Sequence, residues 1–178
     1  MLADRIDSVQ LADLATRHTA QSDQLGPRRL PRLASLLAAG EGQGLDVGVR
    51  FAPDPSGLAR LELAVNGEVQ LVCQRCLAPM AWPVALEASL TVVASEQEAE
   101  GLEDPFEAIV MDPDGLCLDR IIEDEVLAAV PLAPRHEAGD GCRPAAPLTS
   151  AEQEQAGGVS RPFADLGALL KADQRRSN

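Results

Sequence analysis

The fold is decided by residues 61–92, LELAVNGEVQLVCQRCLAPMAWPVALEASLTV. On both sides of the central CQRC, apolar side chains alternate with polar or small ones, the period-two pattern of half-buried strands. The apolar positions are Leu61, Leu63, Val65, Val69, Leu71 and Cys73, then Trp82, Val84, Leu86, Ala88, Leu90 and Val92. We therefore predict two long antiparallel strands joined by a turn at Leu77-Ala78-Pro79.

Asn66-Gly67 allows a second interpretation of the first strand. This dipeptide is typical of two-residue hairpin turns. Such a loop would pair Leu63 with Gln70, so the apolar faces would match only if the loop also included Glu68. We favour one long strand that bends at the glycine, where no side chain is present.

Shorter patterns flank the two long strands. Alternation predicts a strand at residues 45–51 and a short one at 106–111. Helical spacing predicts helices at residues 8–15, 32–39 and 119–130, with a last short helix from about residue 162. Asp119 is the expected N-cap of the third helix. Residues 21–31, which contain glycine and proline, predict a turn, and the acidic residues 95–105 predict a loop.

Packed strands come first in this chain and helices mostly follow, an order typical of α+β domains. The expected fold is α+β: an antiparallel β-sheet, which could be barrel-like, with a few short helices and a flexible C-terminal loop. We divide the chain into an N-terminal helical segment (1–44), a β-rich core with one helix (45–136), a flexible loop (137–160), and a C-terminal short helix and tail (161–178).

The net charge of the 178-residue chain is -13, and residues 96–125 hold twelve acids against the single base Arg120. This block is either a solvated surface stretch or an electrostatic dock for a basic partner. A protein that binds RNA through its phosphates needs a basic face, and aromatic side chains provide surfaces on which bases stack. With three Phe, one Trp and no Tyr, the composition disfavours that class.

The same composition bears on the compartment. No apolar run approaches the roughly 20 residues needed to span a bilayer, and the N-terminus MLADRIDSVQ is acidic and mixed. Four cysteines are too sparse for a disulfide scaffold. We expect a soluble cytoplasmic protein with no membrane contact, whose cysteines are reduced thiols or metal ligands.

Cys73-Gln74-Arg75-Cys76 is the most chemically specific motif. Two residues between cysteines let both sulfurs face one point, which is half of a tetrahedral zinc site. A structural zinc ion would need two more ligands, with His136, Cys142 and Cys117 as candidates. Alternatively, these cysteines are core, turn and loop residues. A redox CxxC is disfavoured because it would precede a helix, and this motif lies between two strands.

Signatures of catalysis are absent from the sequence. It contains no GxxxxGK[ST], GxSxG, HExxH or GxGxxG, and its two histidines lie near opposite ends. Glu123, Asp124 and Glu125 are consecutive, so on a helix they fan around the axis and do not converge. We interpret at least two of them as a solvated helix turn, and we expect no enzyme and no small-molecule substrate.

Three groups of residues resemble one known family. The first is Cys73-Gln74-Arg75-Cys76-Leu77 with Pro79 and Pro83-Val84. The second is Ile122-Glu123-Asp124-Glu125 with Leu127, Pro131, Pro134-Arg135-His136 and Cys142. The third is Arg161-Pro162-Phe163 with Leu166 and Leu169. In this order, over about residues 61–170, they resemble the signatures of the YceD family of large ribosomal RNA subunit accumulation proteins. The first 40 or so residues match it only loosely.

The resemblance implies a role in accumulation or processing of large-subunit (23S) ribosomal RNA, with no assigned catalytic activity. It also implies that Cys73, Cys76, His136 and Cys142 carry the family's Cys/His pattern, which supports a structural zinc ion. Cys117 does not fall on that pattern and is not a first choice.

Three functional hypotheses follow. In the favoured one, a non-catalytic binding factor holds basic ribosomal proteins or pre-ribosomal large-subunit particles. In the second, a zinc-knuckle RNA-binding module contacts RNA through Arg28, Arg29, Arg32 and Arg75, which must then cluster away from residues 96–125. The remote third is a CxxC thiol redox protein. The candidate partner-binding residues are Arg75, Glu123, Asp124 and Glu125.

Overall fold

A computed structural model describes residues 2–3, 5–38, 44–102, 107–137 and 142–144. Five strands are present: β1 (Ala20–Leu25), β2 (Leu45–Pro53), β3 (Ala59–Val72), β4 (Pro79–Val93) and β5 (Ala108–Val110). The helices are α1 (Ser8–Thr16), α2 (Pro31–Ala34), α3 (Glu96–Glu100) and α4 (Leu118–Ala129). Apart from Pro144, all described residues belong to the unit Met1–Arg143; the second unit is Pro144–Asn178.

The strands form one sheet in the order β1-β2-β3-β4-β5. The first three pairings are antiparallel, and β5 pairs in parallel with the end of β4. The predicted α+β class with an antiparallel sheet is confirmed. Its barrel-like alternative is not adopted, because in the described residues β1 and β5 are edges that do not pair with each other.

The two long strands predicted on either side of the CQRC motif are confirmed. β3 and β4 pair from Arg60↔Thr91 to Val72↔Pro79, which brings apolar partners such as Val65 and Leu86 to the same face. The hairpin alternative is wrong, since Gly67 lies inside β3 opposite Val84. Its φ is +153°, and a Cβ there would lie 2.9 Å from Leu45 Cδ2, so glycine is needed at this bend.

One face of the sheet carries the core. Phe51, Leu61 and Val65 are fully buried on it. α1 packs over β2 and β3, while α4 packs over β3 and β4. α4 contributes Ile122 and Val126, both fully buried, because the helical period places them on its sheet-facing side. Removing these side chains from water supplies the main stabilisation, about 1.5–3 kcal/mol for each large one.

Several local predictions differ from the structure. Residues 20–25 form strand β1 where a turn was predicted, since an edge strand pairs through its backbone and leaves polar side chains exposed. α2 ends at Ala34 and is shorter than predicted, because the chain then joins β3: Leu37 bridges Leu71, and the N–H of Ala38 donates to the carbonyl of Gln70 at 2.8 Å.

After β4, residues 96–100 form α3, where a loop was predicted. The N-cap of α4 is Cys117, so Asp119 is a helical residue and not the predicted cap. The predicted C-terminal helix lies outside the described residues. In the ranges that the structure describes, no helix is long and apolar enough to cross a membrane.

Candidate metal centre and ion-pair network

Four side chains from three chain segments meet at one end of the β3–β4 pair. Cys73 follows β3, Cys76 lies in the turn before β4, and His136 and Cys142 come from the segment after α4. Their ligand atoms all lie within 4.8 Å of one another. We call Cys73, Cys76, His136 and Cys142 the Cys/His cluster; it joins residues 69 positions apart in the chain.

Local structure explains why these segments meet. After Cys73, the backbone turns tightly, with the N–H of Leu77 donating to the carbonyl of Cys73 at 2.9 Å. Leu77 has φ +61°, a left-handed conformation that closes the turn. The segment after α4 is attached to the same turn because the N–H of Gln74 donates to the carbonyl of Pro134 at 2.8 Å. His136 follows two residues later.

Two of the distances within the Cys/His cluster match those of a tetrahedral metal site. Cys73 Sγ lies 3.7 Å from Cys142 Sγ, and Cys76 Sγ lies 3.4 Å from His136 Nδ1. A tetrahedral zinc ion with Zn–S near 2.3 Å and Zn–N near 2.0–2.1 Å would separate two sulfurs by about 3.8 Å and a sulfur and a nitrogen by about 3.6 Å. The donor set, three sulfurs and one imidazole, is among those that zinc takes in structural sites.

The imidazole of His136 is oriented from outside the cluster. Its Nε2 lies 3.1 Å from the carbonyl oxygen of Pro79, which can only accept, so Nε2 carries the hydrogen. Nδ1 therefore presents its lone pair toward Cys76. A backbone carbonyl that fixes the tautomer of a histidine is the usual outer-shell support of a metal ligand.

The sulfur of Cys73 is prepared to carry negative charge. Burial raises the pKa of this thiol, but backbone N–H groups of Cys76, His136 and Arg75 donate toward it and lower the pKa to about 5. The Arg75 nitrogen lies 3.4 Å from Cys73 Sγ. Burial and the neighbouring sulfurs of Cys76 and Cys73 instead raise the pKa of Cys142 to about 11. A bound cation would favour the thiolate form of both.

Cys117 does not join the Cys/His cluster and lies at the start of α4, among Arg28, Arg29 and Arg120. Its exclusion as a first-choice ligand agrees with this geometry. The CxxC motif itself is followed by β4, so Cys76 does not begin a helix. The helix-end activation typical of redox CxxC motifs is absent from this part of the described chain.

Two of the remaining candidate residues, Glu123 and Asp124, belong to a second constellation, which joins β1, α2 and the loop between them to α4. Arg29 donates to both carboxylate oxygens of Asp119, at 2.7 and 2.6 Å, and to Asp23 at 2.9 Å. Arg32 contacts Glu123 at 2.7 Å and Asp124 at 2.6 Å. We call these six side chains, Asp23, Arg29, Arg32, Asp119, Glu123 and Asp124, the ion-pair network.

Glu123 has a structural role that sequence reasoning missed. Its side chain is 4% exposed, and it accepts the backbone N–H groups of Arg32 at 2.7 Å and Leu33 at 3.1 Å. It thereby caps α2 from another element, since α2 has no side-chain cap of its own. Asp124 is exposed, as a solvated helix turn predicts. Glu125 is half-buried, and burial, with a smaller contribution from Asp124, raises its pKa.

The ion-pair network also bears on the RNA hypothesis. That hypothesis needs Arg28, Arg29, Arg32 and Arg75 to lie together, away from residues 96–125. Arg29 and Arg32 do not meet this condition, because their guanidinium groups contact Asp119, Glu123 and Asp124 of that very block. Arg28 and Arg75 are exposed. Sequence alone gave no signal of these pairings, which join residues about 90 positions apart.

This chain is an α+β protein with an open, mostly antiparallel β-sheet and a Cys/His cluster at one end of that sheet. A family model described as "Large ribosomal RNA subunit accumulation protein YceD" matches residues 61–170, which include all four cluster residues. The protein of that name from Haemophilus influenzae is 32% identical over 132 residues, covering 69% of this chain and 72% of the relative. No solved structure matches the chain.

This chain therefore belongs to the YceD family. The family's name describes an accumulation factor for large-subunit ribosomal RNA and names no catalytic activity. The predicted family is confirmed, and with it a connection to ribosome biogenesis.

Proposed function

We propose that this chain promotes the accumulation or processing of large-subunit ribosomal RNA as a non-catalytic binding protein. The observation that carries the proposal is the family match over residues 61–170, which takes in β3, β4, α4 and the Cys/His cluster. We place this role in the cytoplasm, with ribosomal proteins or pre-ribosomal large-subunit particles as partners.

Acidic side chains on α3 and after β5 support the proposal that the partner is basic. Glu96, Glu98 and Glu100 are exposed on α3, and in the described residues none of them forms an ion pair. Asp112 and Asp114 follow β5 and are also exposed, although they form long ion pairs with Arg120 and Arg5. These carboxylates would attract a basic ribosomal protein, and the complex would weaken as salt rises, because exposed charges are screened beyond about 8–10 Å at physiological ionic strength.

The Cys/His cluster supports a structural zinc ion in the same protein. Cys73, Cys76, His136 and Cys142 would hold the ion, which supplies four bonds that tie the segment after α4 to the β3–β4 turn. The sulfur-rich donor set and the near-tetrahedral spacing favour zinc over hard cations, which prefer oxygen ligands. The chain's own part is to align Nδ1 of His136 and to direct backbone N–H groups at Cys73.

The accumulation role is tested in cells that lack this chain. Precursor and mature large-subunit ribosomal RNA are quantified, with small-subunit ribosomal RNA as internal control and re-expression of the wild type as rescue. We expect a selective, rescued fall in the mature large-subunit species. Equal amounts of both RNAs with and without the chain would contradict the proposal.

A further inference from the structure

Three exposed arginines are the chain neighbours of residues in the Cys/His cluster. Arg75 precedes Cys76, Arg135 precedes His136, and Arg143 follows Cys142. Each arginine is therefore the chain neighbour of a different ligand, about 3.8 Å away between Cα atoms. Since the ligand atoms lie within 4.8 Å of one another, the three arginines come from adjoining segments around one centre. We call Arg75, Arg135 and Arg143 the arginine rim.

The arginine rim differs from most of the other arginines because its members have no carboxylate partner. Among the described residues, seven arginines form ion pairs: Arg5, Arg17, Arg29, Arg32, Arg50, Arg60 and Arg120. Four described arginines form none, and three of those four are the rim; the other is Arg28. Within the part of the chain that the structure describes, three of the four unpaired arginines thus belong to segments that meet at the Cys/His cluster.

Among the described residues, few acids lie close in sequence to the rim arginines. In the described parts of the three rim segments, 73–76, 134–137 and 142–144, Glu137 is the one acidic residue. The acidic helix α3 follows the opposite end of β4, whose 15 residues extend for about 45 Å at roughly 3.3 Å per residue. That distance is several Debye lengths at physiological salt, so the negative charge of α3 does not cancel the rim.

We propose that the arginine rim binds the phosphate backbone of RNA, and that the metal centre holds its three segments in place. Guanidinium groups match phosphate oxygens with paired donors, and unpaired ones give up no existing ion pair on binding. A basic protein would be repelled by the rim, whereas the polyanion of a ribosomal particle is its RNA. This inference rests on the proposed function only for the choice of RNA among polyanions.

The described rim segments 73–76, 134–137 and 142–144 contain no Phe, Tyr or Trp, so we expect base stacking to contribute little. Binding should therefore depend strongly on salt and weakly on sequence. For single strands, each neutralised phosphate contributes about 0.7 to the slope of log affinity against log salt, so three arginines contribute about 2.

The test uses the full chain in its metal-loaded form and a fluorescein-labelled single-stranded RNA of mixed sequence, followed by fluorescence anisotropy between 50 and 200 mM KCl. The rim variant carries Arg75→Gln, Arg135→Gln and Arg143→Gln. We expect its affinity to fall at least tenfold at 50 mM KCl and its salt slope to lose about 2 units. Circular dichroism and metal content establish that the variant is folded.

A matched control carries Arg17→Gln, Arg50→Gln and Arg120→Gln, which remove the same charge at exposed pairs elsewhere. We expect its affinity to stay within about twofold of the wild type, because rim contacts outweigh net charge. An equal loss in both variants, or no RNA binding by the wild type, would overturn the proposal. Capture of an acidic protein by the rim without RNA binding would overturn it as well.

The two proposals can fail separately. If large-subunit ribosomal RNA accumulation depends on the chain while the wild type binds no RNA, the rim proposal is wrong and the accumulation role stands. If the rim binds RNA and accumulation is unaffected by loss of the chain, the accumulation role is wrong and the rim proposal stands.

Discussion

Two sets of arginines in this molecule share a residue type and differ in everything around it. Arg29 and Arg32 are held in the ion-pair network, where each contacts two carboxylates. Arg75, Arg135 and Arg143 are exposed and contact none in the described residues. The first set joins secondary-structure elements, and the second is available to a partner. The contacts of each guanidinium group therefore distinguish arginines that stabilise the fold from arginines that are free to bind a partner. Composition gives only the net charge and cannot make this distinction.

The two regions also secure α4 differently. The ion-pair network joins its first half to α2 and to the loop before it. The Cys/His cluster brings the segment that follows its end to the β3–β4 turn, where a bound metal would fix it. Coordination by four ligands is much stronger than an exposed or half-exposed ion pair. We therefore expect the largest loss of stability when the cluster is broken.

The first prediction concerns Cys73→Ser. The variant should hold less than about 0.2 equivalents of zinc, where the wild type should hold about one, because structural sites bind tightly and need all four ligands. Loss of a metal present at a thousand times its Kd removes about 4 kcal/mol. For a chain of this size, that lowers Tm by about 8–16 °C. Elemental analysis and a thermal melt measure both effects.

Cys117→Ser is the matched control for this prediction, since Cys117 lies outside the Cys/His cluster. It should keep its zinc and melt within about 2 °C of the wild type. A wild-type protein purified without added metal that contains no zinc and whose Tm is unchanged by a chelator would contradict the structural zinc ion.

The second prediction compares neighbouring acids of the ion-pair network. Glu123→Ala should lower the free energy of unfolding by about 2–4 kcal/mol, because it leaves the backbone donors of Arg32 and Leu33 without their acceptor in a buried place. Asp124→Ala removes an exposed partner of the same arginine and should cost at most about 1 kcal/mol. Urea denaturation of both variants measures the difference; equal losses would contradict the capping role of Glu123.

The sequence predicted those elements in which apolar residues recur at a regular spacing. Alternation located β3 and β4, because one buried face fixes a period of two and a one-residue slip would expose it. It failed at β1, whose AQSDQL sequence is polar and whose stability comes from backbone pairing with β2. It also overextended α2, because the competing contact with β3 is made by residues far away in the chain.

The two constellations were predictable to different degrees. The CxxC spacing marks Cys73 and Cys76 as a pair. The sequence offered His136, Cys142 and Cys117 as further ligands, and the family resemblance favoured His136 and Cys142, which the fold brings together. The ion-pair network carries no such local signature, because a carboxylate and an arginine pair at any sequence separation. Glu123 therefore looked like one of three similar helix acids until its burial was seen.

The third prediction contrasts two adjacent arginines. Arg29→Lys should lower the free energy of unfolding by about 1–2 kcal/mol, because a lysine cannot reproduce the paired donors that Arg29 presents to Asp119. Arg28→Lys, one residue earlier and exposed, should change it by no more than about 0.5 kcal/mol. The two variants are compared by urea denaturation at matched salt. A similar loss of unfolding free energy in both variants would mean that the paired hydrogen bonds from Arg29 to Asp119 contribute little to stability.

The fourth prediction, the smallest apart from the control substitutions, concerns the stability of the rim variant, with Arg75, Arg135 and Arg143 changed to Gln. Exposed side chains without partners lose no contact on substitution, so the three changes together should alter the free energy of unfolding by less than about 1 kcal/mol. A larger loss, accompanied by reduced zinc content, would mean that the rim supports the Cys/His cluster and is not a free binding surface. A near-neutral result in urea denaturation, beside weakened RNA binding, would separate binding from folding at this end of the molecule.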